Sequence, residues 1–101
     1  MKRGKIWQVE LGLAEKSRPV VILSVDYLDH ERAVVSYVPR TTSVRGTRFE
    51  VIHADRRFKP GVFDAQGVGT VPSVKLTRYL APMDQETLGK VEDAVRQWLD
   101  L

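Results

Sequence analysis

Hydrophobic and polar residues alternate along residues 4–11, Gly-Lys-Ile-Trp-Gln-Val-Glu-Leu. This period of two predicts a β-strand with Ile6 and Gln8 on one face and with Trp7 and Val9 on the other. The pattern is typical of a strand near the edge of a sheet.

The next strands are predicted from shorter apolar runs. Residues 19–24 form a run rich in β-branched side chains, which predicts a strand buried on both faces. Residues 33–38 predict another strand, and we expect it to stop at Pro39 because proline has no N–H to give to a sheet. Further short strands are predicted in three places: residues 49–52, 61–63 and 68–71.

The hydrophobic period changes to that of a helix near the C-terminus. Apolar residues recur there at helical spacing: Leu88, Val91, Val95, Trp98 and Leu99. Asp84 is placed to cap this helix, which we expect to run from about residue 84 to the end of the chain. Several short strands before one helix predict a mainly β fold of one domain, residues 1–101. In this fold the helix closes one side of a strongly curved antiparallel sheet or small barrel.

Composition narrows the possible functions. The 101 residues include no cysteine and two histidines, which excludes a disulfide scaffold, a cysteine-ligated zinc site and thiol catalysis. No apolar run approaches the ~20 residues that span a bilayer. The N-terminal Met-Lys-Arg-Gly also lacks the apolar region of a signal peptide. We therefore expect a cytoplasmic protein that does not bind membranes.

The net charge of +3 is unevenly distributed. Residues 84–101 contain five acidic and two basic residues, so the rest of the chain carries +6. Positive charge on one part of a small protein favours a polyanionic partner such as nucleic acid, although many basic domains bind none.

Arg18 stands at the start of the predicted buried strand. Pro19 restricts Arg18 to an extended backbone, so its guanidinium leaves a stiff strand end and can bind a phosphate through two hydrogen bonds. A solvent-exposed arginine in a turn would have the same local sequence, and this alternative stays open.

Residues 38–51 combine hydroxyl groups with cations, which are the donors needed to hold a phosphodiester and neutralise its charge. These side chains are Arg40, Thr41, Thr42, Ser43, Arg45, Thr47 and Arg48. A hydrophilic hairpin loop without function would look similar. The following basic turn, residues 56–59, is either solvated or in contact with an RNA backbone, and His53 is more typical of a core or surface histidine.

Four segments carry a resemblance to a known family. They are Arg-Gly-Lys-Ile-Trp-Gln-Val-Glu-Leu (residues 3–11), Ser-Arg-Pro-Val-Val-Ile-Leu-Ser (17–24), the segment from Val-Pro-Arg-Thr-Thr to Phe-Glu-Val (38–51), and the closing amphipathic helix. In this order, and over nearly the whole chain, they resemble the MazF/PemK family of bacterial toxins.

The resemblance implies an SH3-like small barrel that dimerises and is the toxin of a type II toxin–antitoxin pair. Family members cleave single-stranded RNA at a short sequence without a metal or other cofactor. They leave a 2′,3′-cyclic phosphate and a 5′-hydroxyl. The family's essential arginine falls on Arg18 and its essential threonine on Thr41. The expected partners are single-stranded RNA (mRNA), an acidic antitoxin protein and a second copy of the chain.

This chemistry suits a protein without cysteine, because the substrate's own 2′-hydroxyl is the nucleophile. Arg18 would stabilise the charge of the pentavalent phosphorane, and Thr41 would hydrogen-bond a non-bridging oxygen. Since an arginine is a poor general base, another group has to help remove the 2′-hydroxyl proton.

The chain departs from the family pattern where that group is expected. The family's first loop is usually longer and carries a glutamate, for which Glu15 is the counterpart in this chain. An aspartate used by some members aligns with Gln66, which cannot accept a proton as a carboxylate does, and Asp64 lies two residues earlier. The general base therefore stays open. Other residues are expected to bind RNA: Ser17, Arg40, Thr42, Ser43, Arg45 and Arg48.

Two other functions are compatible with such a fold. A protein resembling CcdB would share the barrel and helix but would poison DNA gyrase through its C-terminal residues, near Trp98. A non-catalytic RNA-binding barrel would explain the charge but would give Arg18 and Thr41 no shared role. For the fold itself we predict a homodimer that covers Trp7, the edge-like first strand and the apolar face of the helix.

Overall fold

The computed structural model describes residues 2–12 and 17–101. Within them the chain forms seven strands, two single-turn 3-10 helices and one α-helix. The strands are β1 (Lys5–Val9), β2 (Arg18–Ile22), β3 (Val34–Thr41), β4 (Glu50–His53), β5 (Gly61–Asp64), β6 (Gly69–Pro72) and β7 (Leu76–Pro82). The 3-10 helices are Ala65–Gly67 and Ser73–Lys75, and the α-helix is α1 (Gln85–Leu99).

The strands form one antiparallel sheet in the order β4-β5-β3-β2-β1-β7, and β6 pairs with the first half of β3. The mainly β fold with a C-terminal helix is therefore confirmed. Among the described strands, the two ends of this order, β4 and β7, do not pair with each other. The sheet is accordingly not closed into the barrel that we expected.

β1 lies between β2 and the edge strand β7, so it is near the edge of the sheet, as predicted, but is not itself an edge strand. Ile6 and Val9 are both fully buried, and they belong to apolar clusters on opposite faces of the sheet. The pairing of β1 with β7 shifts register between Ile6 and Trp7 and again between Gln8 and Val9. Such bulges re-aim side chains, and they accompany the burial of apolar residues on both faces here.

Two other strands differ from the prediction. β7 was not predicted, because residues 77–79 are exposed and their sequence, Thr-Arg-Tyr, shows no apolar alternation. β3 does not stop at Pro39 but continues to Thr41. It pairs with β6 up to Tyr37 and with β5 from Arg40, so Pro39 lies where the partner strand changes. A proline is tolerated at such an irregular position of a sheet.

The sheet buries apolar residues on both faces. One cluster lies beneath α1: Ile6, Val21, Val38, Phe49, Val51, Phe63, Ala65, Met83, Leu88, Val91 and Ala94. The other cluster lies on the opposite face: Val9, Val20, Ile22, Val35 and Tyr37. β2 contributes alternate residues to both clusters, which confirms the prediction that this strand is buried on both faces. Because β2 is packed on both faces, Arg18 at the start of this strand is held in a defined position.

α1 begins where the sequence predicts. The side chain of Asp84 accepts the backbone N–H of Thr87 at 2.9 Å and so caps the helix. Near the other end, Trp98 packs edge-to-face against Phe49, with ring centroids 5.3 Å apart.

Within residues 2–12 and 17–101, no helix combines the length and apolar character needed to cross a membrane.

Candidate nucleic-acid interface

The pairing of β2 with β3 brings the two candidate catalytic residues together. Val20 lies opposite Pro39. Continuing this antiparallel register by two residues sets Arg18 opposite Thr41. Arg18 is exposed and Thr41 is half-buried. Both side chains therefore lie at the same end of the sheet and face solvent.

Two adjoining depressions share Arg18, Thr41 and Ser43 and form one open groove, which we call the basic groove. The first, of about 430 Å³, is also lined by Pro19, Arg40, Thr42, Arg57, Phe58 and Lys59. The second, of about 560 Å³, is also lined by Pro39, Arg45, Asp64, Gln66, Gly67 and Trp98. Cationic residues outnumber the one carboxylate among these described lining residues, so the groove suits a polyanion.

The Thr41 hydroxyl is arranged to donate a hydrogen bond into the basic groove. Its Oγ1 accepts the backbone N–H of Ser43 at 3.0 Å. A hydroxyl that already accepts one hydrogen bond keeps its proton for another acceptor. In the described part of the chain, no carboxylate pairs with Arg18. Arg18 and Thr41 thus present a guanidinium and a hydroxyl to the same groove.

Two of the three candidates for the general base lie in the basic groove. Asp64 and Gln66 line the second depression together with Arg18 and Thr41. The Oδ1 atom of Asp64 accepts the backbone N–H of Gln66 at 3.0 Å and caps the first 3-10 helix. Because a carboxylate can accept several hydrogen bonds, this cap leaves acceptor capacity for a substrate hydroxyl. The third candidate, Glu15, lies outside the described residues.

Arg40, predicted to bind RNA, lines the first depression but is largely buried, with 4% of its surface exposed. Its Nε donates to Nδ1 of His53 at 3.0 Å. Its Nη2 donates to the backbone carbonyls of His53, at 3.0 Å, and of Lys59, at 2.6 Å. The guanidinium carbon also lies 5.0 Å from the centre of the Phe58 ring. Burial lowers the pKa of Arg40. The Nε and Nη2 atoms of its guanidinium are thus hydrogen-bonded within the protein.

The remaining residues predicted to bind RNA divide into two groups. Thr42, Ser43 and Arg45 line the basic groove. Ser17 and Arg48 are exposed but are not among its lining residues. The guanidinium of Arg48 lies over the ring of Phe49 instead, 4.6 Å from its centre.

Glu50 holds the loop that carries Arg45, and sequence reasoning missed this role. Its carboxylate accepts the backbone N–H groups of Arg45, Gly46 and Thr47 at 3.0, 2.6 and 3.0 Å. These hydrogen bonds, with that of Arg45 the largest cause, lower the pKa of Glu50. Gly46 has a φ of +76°, which glycine adopts readily. The sequence feature that could have indicated this role is Gly46 in a polar loop, followed four residues later by the carboxylate of Glu50.

A second acidic residue organises the basic turn on the other side of the basic groove. The carboxylate of Asp55 accepts the backbone N–H and the Nε of Arg57, both at 2.9 Å, and its Nη2 at 2.6 Å. These bonds hold the pKa of Asp55 far below its usual range. Arg57 and Lys59 both line the groove, whereas Arg56 does not. The turn is therefore shaped as part of the groove wall.

The basic groove can bind and polarise a phosphodiester. It provides the Arg18 guanidinium, the Thr41 and Ser43 hydroxyls and, at its ends, Arg45 and Arg57. Across residues 2–12 and 17–101, no three histidine, aspartate or glutamate side chains converge as metal ligands. The chemistry available from the described side chains is hydrogen bonding, charge stabilisation and proton transfer to Asp64.

A family model matches residues 2–99 and is described as a PemK-like, MazF-like toxin of type II toxin–antitoxin systems. No curated protein matches the chain in sequence.

Solved structures resemble the chain over nearly its whole length. An endoribonuclease from a mycobacterial species, solved with its cognate antitoxin, is 25% identical with a TM-score of 0.86, and the match covers 100% of this chain and 96% of that one. The Mycobacterium tuberculosis toxin MazF-mt6 is 27% identical with a TM-score of 0.81, over 96% of this chain and 97% of that one. A MazE–MazF structure from Deinococcus radiodurans is 19% identical with a TM-score of 0.81, over 99% and 96%, and it supports the fold alone.

Proposed function

Because this chain belongs to the family of PemK-like, MazF-like toxins of type II toxin–antitoxin systems, we propose that it is a sequence-specific endoribonuclease of single-stranded RNA. The observation that supports this best is the placement of Arg18 opposite Thr41 in the basic groove. A solved structure 25% identical to this chain is itself an endoribonuclease, which agrees with the proposal. Since mRNA is the expected substrate, we expect the protein to act in the cytoplasm.

In the proposed reaction, the 2′-oxygen of the nucleotide before the scissile phosphate attacks phosphorus. The bond from phosphorus to the 5′-oxygen of the next nucleotide breaks and this oxygen takes a proton from water, which gives a 2′,3′-cyclic phosphate and a 5′-hydroxyl. Arg18 stabilises the negative charge on the phosphorane, and the Thr41 hydroxyl donates to a non-bridging oxygen. The nucleophile and the charge stabilisation come from the RNA and from these two side chains, so the reaction is proposed to proceed without a metal ion or other cofactor.

The proton of the 2′-hydroxyl needs an acceptor. Among the described candidates in the basic groove, Asp64 is a carboxylate and Gln66 is not, so we assign proton acceptance to Asp64 and hydrogen bonding of RNA to Gln66. Glu15 is the alternative acceptor. Comparing Asp64→Asn with Glu15→Gln in one RNA digest identifies the acceptor. The variant that lacks the acceptor should cleave RNA more slowly, and the other variant should cleave it at the wild-type rate.

The proposed partners follow from the charge of the groove and from the family. An antitoxin is expected to lay an acidic, largely disordered segment over the basic groove, since that blocks RNA and relieves the crowding of Arg18 with neighbouring cations.

A homodimer is proposed as well, although β1 is not an edge strand and the apolar face of α1 is buried against the sheet. The observation that supports it is the exposure of Val25 and Leu28, in one loop, and of Val74, in the second 3-10 helix. A 3.0 Å hydrogen bond between Tyr27 and Ser73 joins this loop to this helix.

A digest of a long RNA in excess EDTA, without gyrase or any added protein, tests the function. We expect discrete fragments with cyclic phosphate ends. Intact RNA would contradict the proposal. Intact RNA that is nevertheless bound would indicate a non-catalytic RNA-binding protein. Inhibition of DNA gyrase by the same preparation would indicate the CcdB-like alternative. That alternative relies on Trp98, which the structure packs against Phe49.

A further inference from the structure

The buried side chain of Arg40 joins separate parts of the basic groove. Arg40 directly precedes Thr41 in β3. Its guanidinium reaches the carbonyl of Lys59, in the turn that also presents Arg57 to the groove. One side chain thus connects the strand that holds the proposed catalytic threonine to the basic turn on the other wall.

We propose that Arg40 and His53 are a pair of positioning residues that hold the two walls of the basic groove in register, and that the groove binds RNA tightly while His53 is neutral. This inference rests on the proposed function, because the consequence that it predicts is a change in RNA binding. Neither residue touches the reacting atoms.

The packing around Arg40 leaves little freedom for a different arrangement. A Cβ atom built on Gly61 would lie 2.9 Å from Nη1 of Arg40 and 2.6 Å from the carbonyl oxygen of Thr41. The glycine therefore gives the guanidinium room to cross β5. Phe58 covers the guanidinium from the side of the turn. Arg40 is fixed by hydrogen bonds at one end of its side chain and by its strand at the other.

His53 completes this arrangement because it accepts a hydrogen bond at Nδ1. The Nε of Arg40 can act as a donor and never as an acceptor, so Nδ1 of His53 must carry a lone pair, and the ring is neutral with its proton on Nε2. The ring is 4% exposed and stands edge-to-face against Phe58 and Phe63, with centroids 5.3 and 5.0 Å away. Protonation would remove the acceptor and place two cations in contact.

The charged groups around His53 do not offset that penalty. Burial and the Arg40 guanidinium lower the pKa of His53, and Arg57 lowers it further, whereas the carboxylates of Asp55 and Asp84 raise it. Both carboxylates are already committed elsewhere, Asp55 to Arg57 and Asp84 to the start of α1. The net direction is a pKa below the ordinary value of 6.5.

The sign of the effect follows from this direction. Because the folded protein takes up the His53 proton less readily than the unfolded chain does, the arrangement is fully stable above pH 6.5 and loses stability as the pH falls through the lowered pKa. Weaker RNA binding in acid is therefore expected, and this opposes the usual tightening of RNA binding when histidines gain charge.

The test measures the dissociation constant of an RNA oligonucleotide as a function of pH. The probe is a fluorescein-labelled single strand that contains a cleavage site mapped on a long RNA, with one 2′-deoxyribose at that site to prevent cleavage. Wild type is expected to bind more weakly at about pH 5.5 than at about pH 7.5, by less than the roughly tenfold loss that a histidine with an unshifted pKa would give. His53→Asn, whose amide oxygen can replace Nδ1 as acceptor but cannot be protonated, should lose this dependence. His30→Asn, which changes an exposed histidine in a turn, should behave as wild type.

A second variant separates positioning from catalysis. Arg40→Lys keeps the charge but loses the planar fork whose Nε contacts His53 while its Nη2 contacts Lys59. We expect KM to rise several-fold while kcat changes less, because the groove wall is displaced and Arg18 is not. Circular dichroism checks that each variant is folded. If neither variant folds, the nitrogen-15 signal of the Arg40 Nε–H in wild type decides, since it should shift or broaden over the pH range in which RNA binding weakens.

The outcomes distinguish this inference from the proposed function. If wild type neither cuts nor binds RNA at about pH 7.5, the proposed function fails and this inference fails with it. If wild type cuts RNA but does not bind the RNA oligonucleotide more weakly in acid, only the role of Arg40 and His53 is overturned. It is also overturned if His53→Asn keeps the wild-type pH dependence, or if the Arg40 signal is unchanged where binding weakens.

Discussion

Arg18 and Thr41 have distinct tasks at the scale of single residues. Arg18→Lys keeps the positive charge but loses the planar fork that matches a phosphate, and Thr41→Val keeps the shape but loses the hydroxyl. Removing one preorganised donor costs about 3 kcal/mol in the transition state, so each variant should cut RNA on the order of a hundredfold more slowly. Initial rates on a long RNA measure this. Arg32→Lys, at an exposed position away from the groove-lining residues, is the control. Wild-type rates in both groove variants would refute the assignment.

The residue scale is also where sequence reasoning is weakest. Arg18 and Thr41 could be assigned from their motifs because each motif is local. The burial of Arg40 could not, since its partners, His53 and Lys59, lie 13 and 19 residues away in the chain. A buried arginine and an RNA-binding arginine have the same local sequence, and the pairing of strands decides between them.

At the scale of elements, the conformation of the loop between β3 and β4 depends on the side chain of Glu50. Glu50 accepts three consecutive backbone N–H groups there and so holds Arg45 at the basic groove. We expect Glu50→Gln to weaken these hydrogen bonds and to lower the cleavage rate about tenfold through misplaced groove residues. Glu31→Gln is a matched control, because Glu31 also accepts a backbone N–H, that of Leu28, in a turn that does not line the groove. Equal rates for the two variants would show that the loop needs no such anchor.

At the scale of elements, local pattern predicts most of the fold. The apolar run of β2 and the helical spacing of α1 each have one structural interpretation, and Asp84 caps the helix as expected. The sequence pattern misses β7, which carries exposed polar residues, and it does not show that β1 pairs with both β2 and β7. Both depend on neighbouring strands that are distant in sequence.

The whole molecule is expected to self-associate. Sedimentation at micromolar concentration should give the mass of a homodimer, because exposed Val25, Leu28 and Val74 gain burial when two copies meet. A monomer at that concentration, in a preparation that cuts RNA, would exclude the homodimer.

The positive charge of the groove predicts how an antitoxin binds. Affinity should fall as salt is raised, and changing the acidic residues of the bound antitoxin segment to amides should abolish inhibition. Amide substitutions elsewhere in the antitoxin are the control. Inhibition that survives loss of the acidic residues would indicate that the antitoxin blocks a different surface.

A cleavage assay in excess EDTA, on an RNA with a single deoxyribose 5′ to the scissile phosphate, tests whether the 2′-hydroxyl is the nucleophile. If the 2′-hydroxyl is the nucleophile, this substitution stops cleavage because the attacking oxygen is absent. Binding should survive, because its affinity comes mainly from phosphate contacts. A plot of the logarithm of the association constant against the logarithm of the salt concentration should have a slope of about −0.7 for each contacted phosphate. We predict that this RNA is bound equally well and is not cut. An RNA that is bound equally well and still cut at the same bond would contradict this prediction.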